Sequence, residues 1–295
     1  MPDLCEGLDG TLGLGVVALE APPGCVPLVL SGFALAPWRG VTRMLITDAL
    51  FQAFLQCETK SHLKLSGAVG DQQEFSEWER HRVEAYKRQC HRQLRSVFRE
   101  AECLVDVAFP PDLEDSRYRL VMDCRVRAQE IQSHIHALER VASPGQTSHN
   151  PYIPIRCVPR EKITKQDKLL LAFDALALWT ASGQVPLFGK ILHGSKQMAV
   201  KVHLTALMEV AKSVVGKIAV QQAGSMPPRL VLNKHCAECE FKARCRHSAV
   251  EKDELSLLSG MTAQEIKKQQ HKGIFSVTQL SYTFRPRNST GVLGE

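Results

Sequence analysis

Three cysteines near the C-terminal end constrain the fold of this chain more than any other feature. Cys236, Cys239 and Cys245 follow one another at C-x2-C-x5-C spacing, in a run rich in lysine, arginine and histidine. Thiolates at this spacing can reach one metal centre from a single compact turn, because sulfur is a preferred ligand of zinc and of iron–sulfur iron. We therefore expect a metal site here, with three metal-free cysteines as the alternative.

A tetrahedral centre needs a fourth ligand, and the sequence offers two candidates. His247 comes two residues after Cys245, which is closer than the usual spacing of zinc-finger histidines. Cys57 lies far away along the chain, in a polar stretch at the edge of a predicted helix. A ligand set that includes Cys57 would join the two ends of one domain.

The composition is that of a protein with a substantial core. The 295 residues are enough for one large domain with an accessory segment or for two small ones, and 44% of them are hydrophobic. No apolar run reaches about 18 residues, so we expect neither a membrane span nor a membrane partner. The N-terminus is acidic where a signal peptide is basic, so the ten cysteines indicate a reducing, cytoplasmic location.

Charge is unevenly distributed along the chain. The net charge is +6, with lysine and arginine concentrated at 80–99 and 234–287 and acidic residues at 112–115. A segregated basic surface attracts phosphates whatever their sequence, which favours a polyanionic partner. For 80–99 an ordinary solvated helix face is the alternative.

Hydrophobic periodicity divides the chain into elements. Residues 1–43 show no period and are predicted to be an N-terminal extension that folds poorly, with Met44 as an alternative start. Thr47 is the predicted N-cap of the first helix. We expect an α+β core with three or four antiparallel strands, whose two ends meet near the cysteines. The pattern predicts helices at 72–97, 167–179 and 203–223, strands at 102–109, 118–126, 131–141 and 152–158, and short strands around 190–202.

Several of these segments resemble the RecB-like nucleases of the PD-(D/E)xK superfamily. The likeness rests on Cys57-x-x-Lys-x-x-Leu, the helix Asp167-Lys-Leu-Leu-Leu-Ala-Phe, and His235-Cys-x-x-Cys-x-Phe-x-x-x-Cys-Arg, and it covers about residues 44–287. More narrowly, the chain resembles RecB-family modules that precede a ribonuclease-H-like domain in some bacterial proteins. The resemblance implies a restriction-endonuclease-like core, a small mixed sheet flanked by helices, closed by a four-cysteine metal cluster and followed by a helical hairpin.

The resemblance also implies a cofactor and partners. In the iron–sulfur branch of the superfamily, one upstream cysteine and a downstream triplet hold the cluster. It therefore implies a 4Fe-4S cluster, with zinc as the alternative, and DNA as partner, either single-stranded or at duplex ends. A ribonuclease-H-like or helicase domain is a candidate partner. The implied ligands are Cys57, Cys236, Cys239 and Cys245, and the implied segments are a 1–43 extension, a 44–250 nuclease-fold domain, a 251–287 helix-hairpin-helix-like segment and a 288–295 tail.

A nuclease of this kind needs two carboxylates and a lysine around a divalent metal, and RecB-like members add a helical histidine. Asp123 is the first candidate carboxylate and His81 the candidate histidine. The position expected to carry an aspartate reads His136, followed by Glu139, and Lys162 comes after the next strand. We expect either a rearranged site that uses magnesium or manganese, or a nuclease-fold module that binds DNA without hydrolysis. A zinc-stapled protein without a nucleic-acid role is a third alternative.

The basic segment that closes the chain predicts two short helices around a glycine turn. Thr262 and Glu265 have the spacing of a capping box, and Ser276 is the predicted N-cap of the second helix. Backbone amides at such a turn can hold a phosphate, whereas a small helical bundle that packs beside the cluster is the alternative. The candidate nucleic-acid contacts are Lys272, Gly273, Arg285 and Arg287.

Overall fold

One mixed sheet with helices packed on it forms the centre of the protein in a computed structural model, which describes residues 44–71, 74–109, 118–141, 152–224 and 226–283. The expectations for residues 1–43, for Arg285 and Arg287 and for the 288–295 tail lie outside these residues. The strands are β1 Ile46–Thr47, β2 Cys103–Val105, β3 Leu120–Ala128, β4 Ile131–Arg140, β5 Tyr152–Val158, β6 Phe188–His193 and β7 Met198–His203. The helices are α1 Asp48–Gln56, α2 Glu58–Leu65, α3 Glu74–Arg95, α4 Lys165–Ser182, α5 Thr205–Ala223, α6 Lys242–Glu251, α7 Ala263–His271 and α8 Val277–Thr283.

The strand order is β2-β3-β4-β5-β6-β7, with the short β1 also paired to β4. Strands β3, β4 and β5 form an antiparallel meander, and β7 is antiparallel to β6. The meander confirms the three antiparallel strands expected from the sequence, and three further pairs of the described strands are parallel: β1 with β4, β2 with β3, and β5 with β6. Helix α4 carries the chain across between β5 and β6, and a helical crossover of this kind joins parallel strands. The mixed sheet flanked by helices is compatible with the α+β class.

The two faces of the sheet carry separate cores. Adjacent residues of β3 show this division: Val121 packs with α4 and α5, whereas Met122 packs with Cys90 of α3. Helix α4 is buried on nearly all sides, and its Phe173 stacks on Phe51 of α1 with ring centroids 4.5 Å apart. Helix α3 therefore covers one face alone, and its exposed side remains available to solvent. Within the described part of the chain, no helix is long and apolar enough to cross a membrane.

The side chains predicted to cap helix N-termini form the expected hydrogen bonds. Thr47 accepts a hydrogen bond from the backbone N–H of Leu50, as its predicted role as N-cap requires. Thr262 and Glu265 form the predicted capping box at the start of α7. Ser276 accepts a hydrogen bond from the N–H of Gln279 in α8, so the two short helices of the closing segment are confirmed.

Candidate active site and cysteine pocket

Asp123 interrupts the regular alternation of β3. Its φ is +51°, in the left-handed region that residues other than glycine rarely adopt. Val121 and Cys124, three residues apart instead of two, therefore both pack into the core that includes α4. On β4, Ile135 and Leu138 are also three apart and also lie in that core. The change of alternation turns the Asp123 carboxylate to the opposite face, which α3 covers.

The Asp123 carboxylate lies at the centre of a charged group that we call the Asp123 cluster: Asp123, Lys87, His91 and His134. Lys87 Nζ lies 2.7 Å from Asp123 Oδ1, and His134 Nε2 lies 3.5 Å from the same oxygen. His91 Nδ1 lies 3.6 Å from Oδ2. Lys87 and His91 are four residues apart on α3, so both reach the sheet from one side of the helix. The Asp123 and His134 side chains are 23% and 44% exposed, so the cluster is open to solvent.

His91 is held as a neutral ring. Its Nε2 lies 2.8 Å from the carbonyl oxygen of His136, which can only accept, so this nitrogen carries the proton. Burial lowers the pKa of His91 despite the attraction of the Asp123 carboxylate. The neutral ring then directs the lone pair of Nδ1 towards Asp123. Burial also opposes the charge on Lys87, but hydrogen bonds to Asp123 and Glu84 outweigh it and raise the Lys87 pKa.

The His136 side chain is hydrogen-bonded to β5. The backbone N–H of Cys157 donates to His136 Nδ1 over 3.0 Å, which leaves the proton of the neutral ring on Nε2. Burial keeps the pKa of His136 well below its ordinary value. Neither nitrogen then offers a lone pair to a metal. In this arrangement His136 ties β4 to β5 and supports His91 through its carbonyl group, so it positions the cluster without being a ligand.

The other candidates from the sequence lie apart from the cluster. Glu139 forms an ion pair with Lys190 of β6, and none of the described contacts joins that pair to Asp123. His81 is exposed on α3, about 15 Å along the helix axis from His91. Lys162 is exposed in the bend that follows β5.

Sequence reasoning missed two members of the cluster, Lys87 and His91. The spacing of Lys87 and His91, four residues apart, places both on one side of α3 and could have indicated that they face the sheet. That side also carries the buried Cys90, whereas His81 lies on an exposed part of the helix. The alternation His134-Ile-His136 did indicate two rings on one strand face that could bind a metal, with a polar pair satisfied by its neighbours as the alternative, and the structure brings the His134 ring to Asp123.

The four cysteines implied by the resemblance line a single small pocket. Cys57 stands at the break between α1 and α2, Cys236 lies in the 3-10 turn Lys234–Glu238, Cys239 ends that turn, and Cys245 lies in α6. All the cysteines among the described residues are free thiols. His247, the other candidate for fourth ligand, is 78% exposed and pairs with Glu251 at 3.2 Å. Cys57, and not His247, therefore accompanies the triplet.

Charge repulsion and burial shape the chemistry of these thiols. Burial, and then the neighbouring Cys239, Cys57 and Cys236, raise the pKa of Cys245 to about 11. Thiols with raised pKa stay protonated until a cation replaces their protons, which is the usual coupling of metal binding to thiol ionisation. The donor chemistry therefore suits zinc or iron–sulfur iron.

The side chains of the described residues are not already arranged around a single metal ion. Among the described residues, no group of three or more His, Cys, Asp or Glu side chains is arranged to hold a metal ion. This finding applies to a mononuclear site at the cysteines and at the Asp123 cluster alike. A cluster of several irons spreads its thiolate ligands around a larger group than one ion does.

A polar frame joins the elements on either side of the cysteine pocket. Glu240 accepts ion pairs from Lys60 and Lys64 of α2, both at 2.9 Å. Burial opposes ionisation of Glu240, but hydrogen bonds from the two lysines prevail and lower its pKa to about 2. Asn233 Nδ2 donates to the carbonyl oxygen of Gln56 over 3.1 Å. These contacts hold the segment with the cysteine triplet against the turn that carries Cys57.

The closing hairpin leaves its candidate contacts exposed. Lys272 and Gly273 both face solvent after α7, and Gly273 has φ +80°, a conformation that glycine adopts without strain. Asp253 accepts a hydrogen bond from the N–H of Thr278 over 2.8 Å, which anchors α8 to the chain that follows α6. The hairpin is thus fixed in place, and its contact with phosphate stays a prediction.

No protein-family model matches this chain, and no curated protein matches it either. The Asp123 cluster and the cysteine pocket are therefore the basis for a functional proposal.

Proposed function

We propose that this protein is a RecB-like nuclease that hydrolyses DNA at the Asp123 cluster and binds a 4Fe-4S cluster in its cysteine pocket. The observation that carries the proposal is the convergence of a carboxylate, an ammonium group and two imidazoles on one solvent-open point of the sheet. Phosphodiester hydrolysis needs such a combination, because the attacking water must be activated and the charge on the phosphate offset.

The residues of the cluster divide these tasks. Asp123, with the free lone pair of His91 and with His134, would supply the donors for a divalent ion after these side chains rearrange, because their present arrangement is not that of an ion site, and Lys87 would offer its charge to a phosphate oxygen. When bound, a divalent ion supplies Lewis-acid chemistry and a more acidic water. Magnesium prefers oxygen ligands, and the cluster holds one carboxylate among two imidazoles, so manganese fits it better. His136 keeps His91 in the correct tautomer.

The architecture and the cysteines support the same proposal. An antiparallel meander of three strands, a buried helix and a parallel fourth strand are compatible with the restriction-endonuclease-like core that the resemblance implies. The meeting of Cys57 with Cys236, Cys239 and Cys245 fits the ligand pattern of the iron–sulfur branch. On this proposal the 4Fe-4S cluster would join the α1–α2 turn to α6, and a ribonuclease-H-like or helicase domain is a candidate partner domain.

One observation favours a second candidate, a DNA-binding module of the same fold without hydrolytic activity. Lys87 already neutralises the single carboxylate of the cluster, and both ring nitrogens of His136 are occupied by protons or hydrogen bonds. A fold can persist as a scaffold after its chemistry is lost.

Cleavage assays with one matched pair of variants distinguish these candidates. Asp106 also has a positive φ, +52°, and its side chain is 73% exposed beside Arg125, so Asp106→Asn is a control for Asp123→Asn. Asparagine tolerates the left-handed conformation at both positions. Labelled single-stranded and duplex DNA would be incubated with protein purified without oxygen, with manganese, magnesium or EDTA.

We expect cleavage that needs a divalent ion, falls at least about 100-fold in Asp123→Asn and is unchanged in Asp106→Asn. Salt-sensitive DNA binding without any cleavage would favour the second candidate. Absence of both binding and cleavage would contradict the nucleic-acid function altogether.

A further inference from the structure

The exposed side of α3 carries a stripe of arginines. Arg88, Arg92 and Arg95 are spaced by four and three residues, so they project from one side of the helix, and all three are exposed. Arg95 pairs with the exposed Glu100 at 3.3 Å. Arg88 and Arg92 have no ion-pair partner among the described residues. We call these three residues the α3 arginine stripe.

The stripe is unfavourable for the isolated helix. Like charges at i and i+4, as in Arg88 and Arg92, repel each other. The helix dipole favours cations in the last turn, which accounts for Arg92 and Arg95 but not for Arg88. Glu84, four residues before Arg88, pairs with Lys87 at 3.0 Å. A solvated helix face would interleave the two signs of charge, whereas on this one Arg88 and Arg92 have no compensating carboxylate among the described residues.

The stripe also borders the Asp123 cluster. Arg88 follows Lys87, and Arg92 follows His91, so the same two turns of α3 supply both groups. Successive residues of a helix differ in direction by about 100°. Lys87 and His91 therefore turn in towards Asp123, while the arginines next to them turn to the exposed side of the helix.

We propose that the α3 arginine stripe binds the sugar–phosphate backbone of a DNA strand and delivers one phosphate to the Asp123 cluster. This inference rests on the proposed function and adds the surface along which the substrate lies. Guanidinium groups bind phosphate through two parallel hydrogen bonds and read no base sequence. Arg88 and Arg95 lie about 10 Å apart along the helix axis, which matches the rise of about three steps of 3.4 Å along a DNA duplex.

The salt dependence of DNA binding tests this inference. Fluorescence anisotropy with a labelled single strand and a labelled duplex would be measured against KCl concentration in EDTA, so that no cleavage occurs. The variant is Arg88→Gln/Arg92→Gln, since glutamine keeps nearly the same helix propensity. The control is Lys168→Gln/Lys217→Gln, which removes the same charge from exposed positions of α4 and α5 on the other side of the sheet.

We expect the slope of log affinity against log salt to fall by about 1.4 for the single strand and about 1.8 for the duplex in the arginine variant alone. The loss of affinity should be the same for every base sequence. Equal slopes in the two double variants, with DNA binding intact, would contradict the role of the α3 arginine stripe in DNA binding and leave the proposed function standing. A wild-type protein that does not bind DNA would overturn both.

Discussion

His91 donates its Nε2 proton to the carbonyl oxygen of His136 over 2.8 Å, and this bond fixes the ring that faces Asp123. A strand residue thereby sets the tautomer of a helix residue. The resemblance led us to expect an acid at position 136, but the backbone of that residue acts on the cluster while its side chain bonds to β5. The helical histidine of the cluster is accordingly His91.

Two histidines on α3 allow a matched test of this assignment. His91→Gln should lower DNA cleavage about 100-fold, because it removes the ring lone pair beside Asp123. His81→Gln should leave cleavage unchanged, since His81 is exposed on another part of the helix. Turnover of both variants on one labelled strand is the measurement. If His81→Gln is the impaired variant, the Asp123 cluster is not the hydrolytic site.

A buried ion pair beneath the sheet should dominate the stability of the core. Asp174 accepts hydrogen bonds from Arg156 at 2.7 and 2.8 Å and from Ser133 at 2.7 Å, and it is fully buried. Asp174→Ala should lower the free energy of unfolding by about 3–5 kcal/mol, because it leaves the Arg156 charge buried without a partner. Urea denaturation measures this change.

An exposed pair provides the comparison for that experiment. Glu209 and Lys212 form an ion pair on the surface of α5, and Glu209→Ala should change the free energy of unfolding by less than about 1 kcal/mol. The double variant Asp174→Leu/Arg156→Met should recover most of the loss, since it removes both charges together. Similar losses from Asp174→Ala and Glu209→Ala would mean that Asp174 is not a buried anchor.

The start of α7 should become less stable in acid. Hydrogen bonds from the backbone and hydroxyl of Thr262 lower the pKa of Glu265 below its ordinary 4.5. Because the folded pKa lies below the unfolded one, this cap stabilises the helix above about pH 4.5 and the contribution is lost as the pH falls further. Amide-exchange protection factors at the start of α7 should drop in acid in the wild type. In Glu265→Gln they should not depend on pH, and a wild-type profile in that variant would contradict the assignment.

Gly70 should be essential for the polar frame beside the cysteines. A Cβ at this position would lie 2.5 Å from Cγ and 2.7 Å from Cβ of Glu240. Gly70→Ala should therefore displace Glu240 from Lys60 and Lys64 and lower the free energy of unfolding by about 1–3 kcal/mol. Gly216→Ala in α5 meets no atom within 4 Å and should stabilise the protein by about 0.5–1 kcal/mol. Urea midpoints that move in the same direction for both variants would contradict this view.

Local chemistry made part of this fold predictable. Alternation placed β5 at its observed bounds and β4 within one residue of them, and Thr47 and the Thr262–Glu265 box mark helix starts through hydrogen bonds between near neighbours. The direction in which neighbouring strands run could not be predicted from the sequence in the same way. Whether β2 runs parallel to β3 depends on the path of the chain between them, and alternation is the same in both directions.

The candidate site was harder to predict because it is assembled from distant segments. The positive φ of Asp123 shifts the alternation of β3, so that the residues after it exchange the two faces of the sheet. The surrounding sequence does not predict this conformation. Lys87 and His91 meet Asp123 only when α3 packs on the meander, and His134 approaches it only when β4 pairs with β3. The approach of Cys57 to the triplet was expected from the resemblance, since residue spacing alone left His247 equally open.

The metal content of protein purified without oxygen tests the central claim most directly. Iron, sulfide and zinc would be measured in the wild type, in Cys57→Ser and in Cys103→Ser, whose half-buried thiol does not line the pocket. We predict iron and sulfide in equal amounts in the wild type and in Cys103→Ser, and their loss in Cys57→Ser. Zinc that is retained in Cys57→Ser would contradict the four-cysteine cluster and, with it, the likeness to the iron–sulfur nucleases.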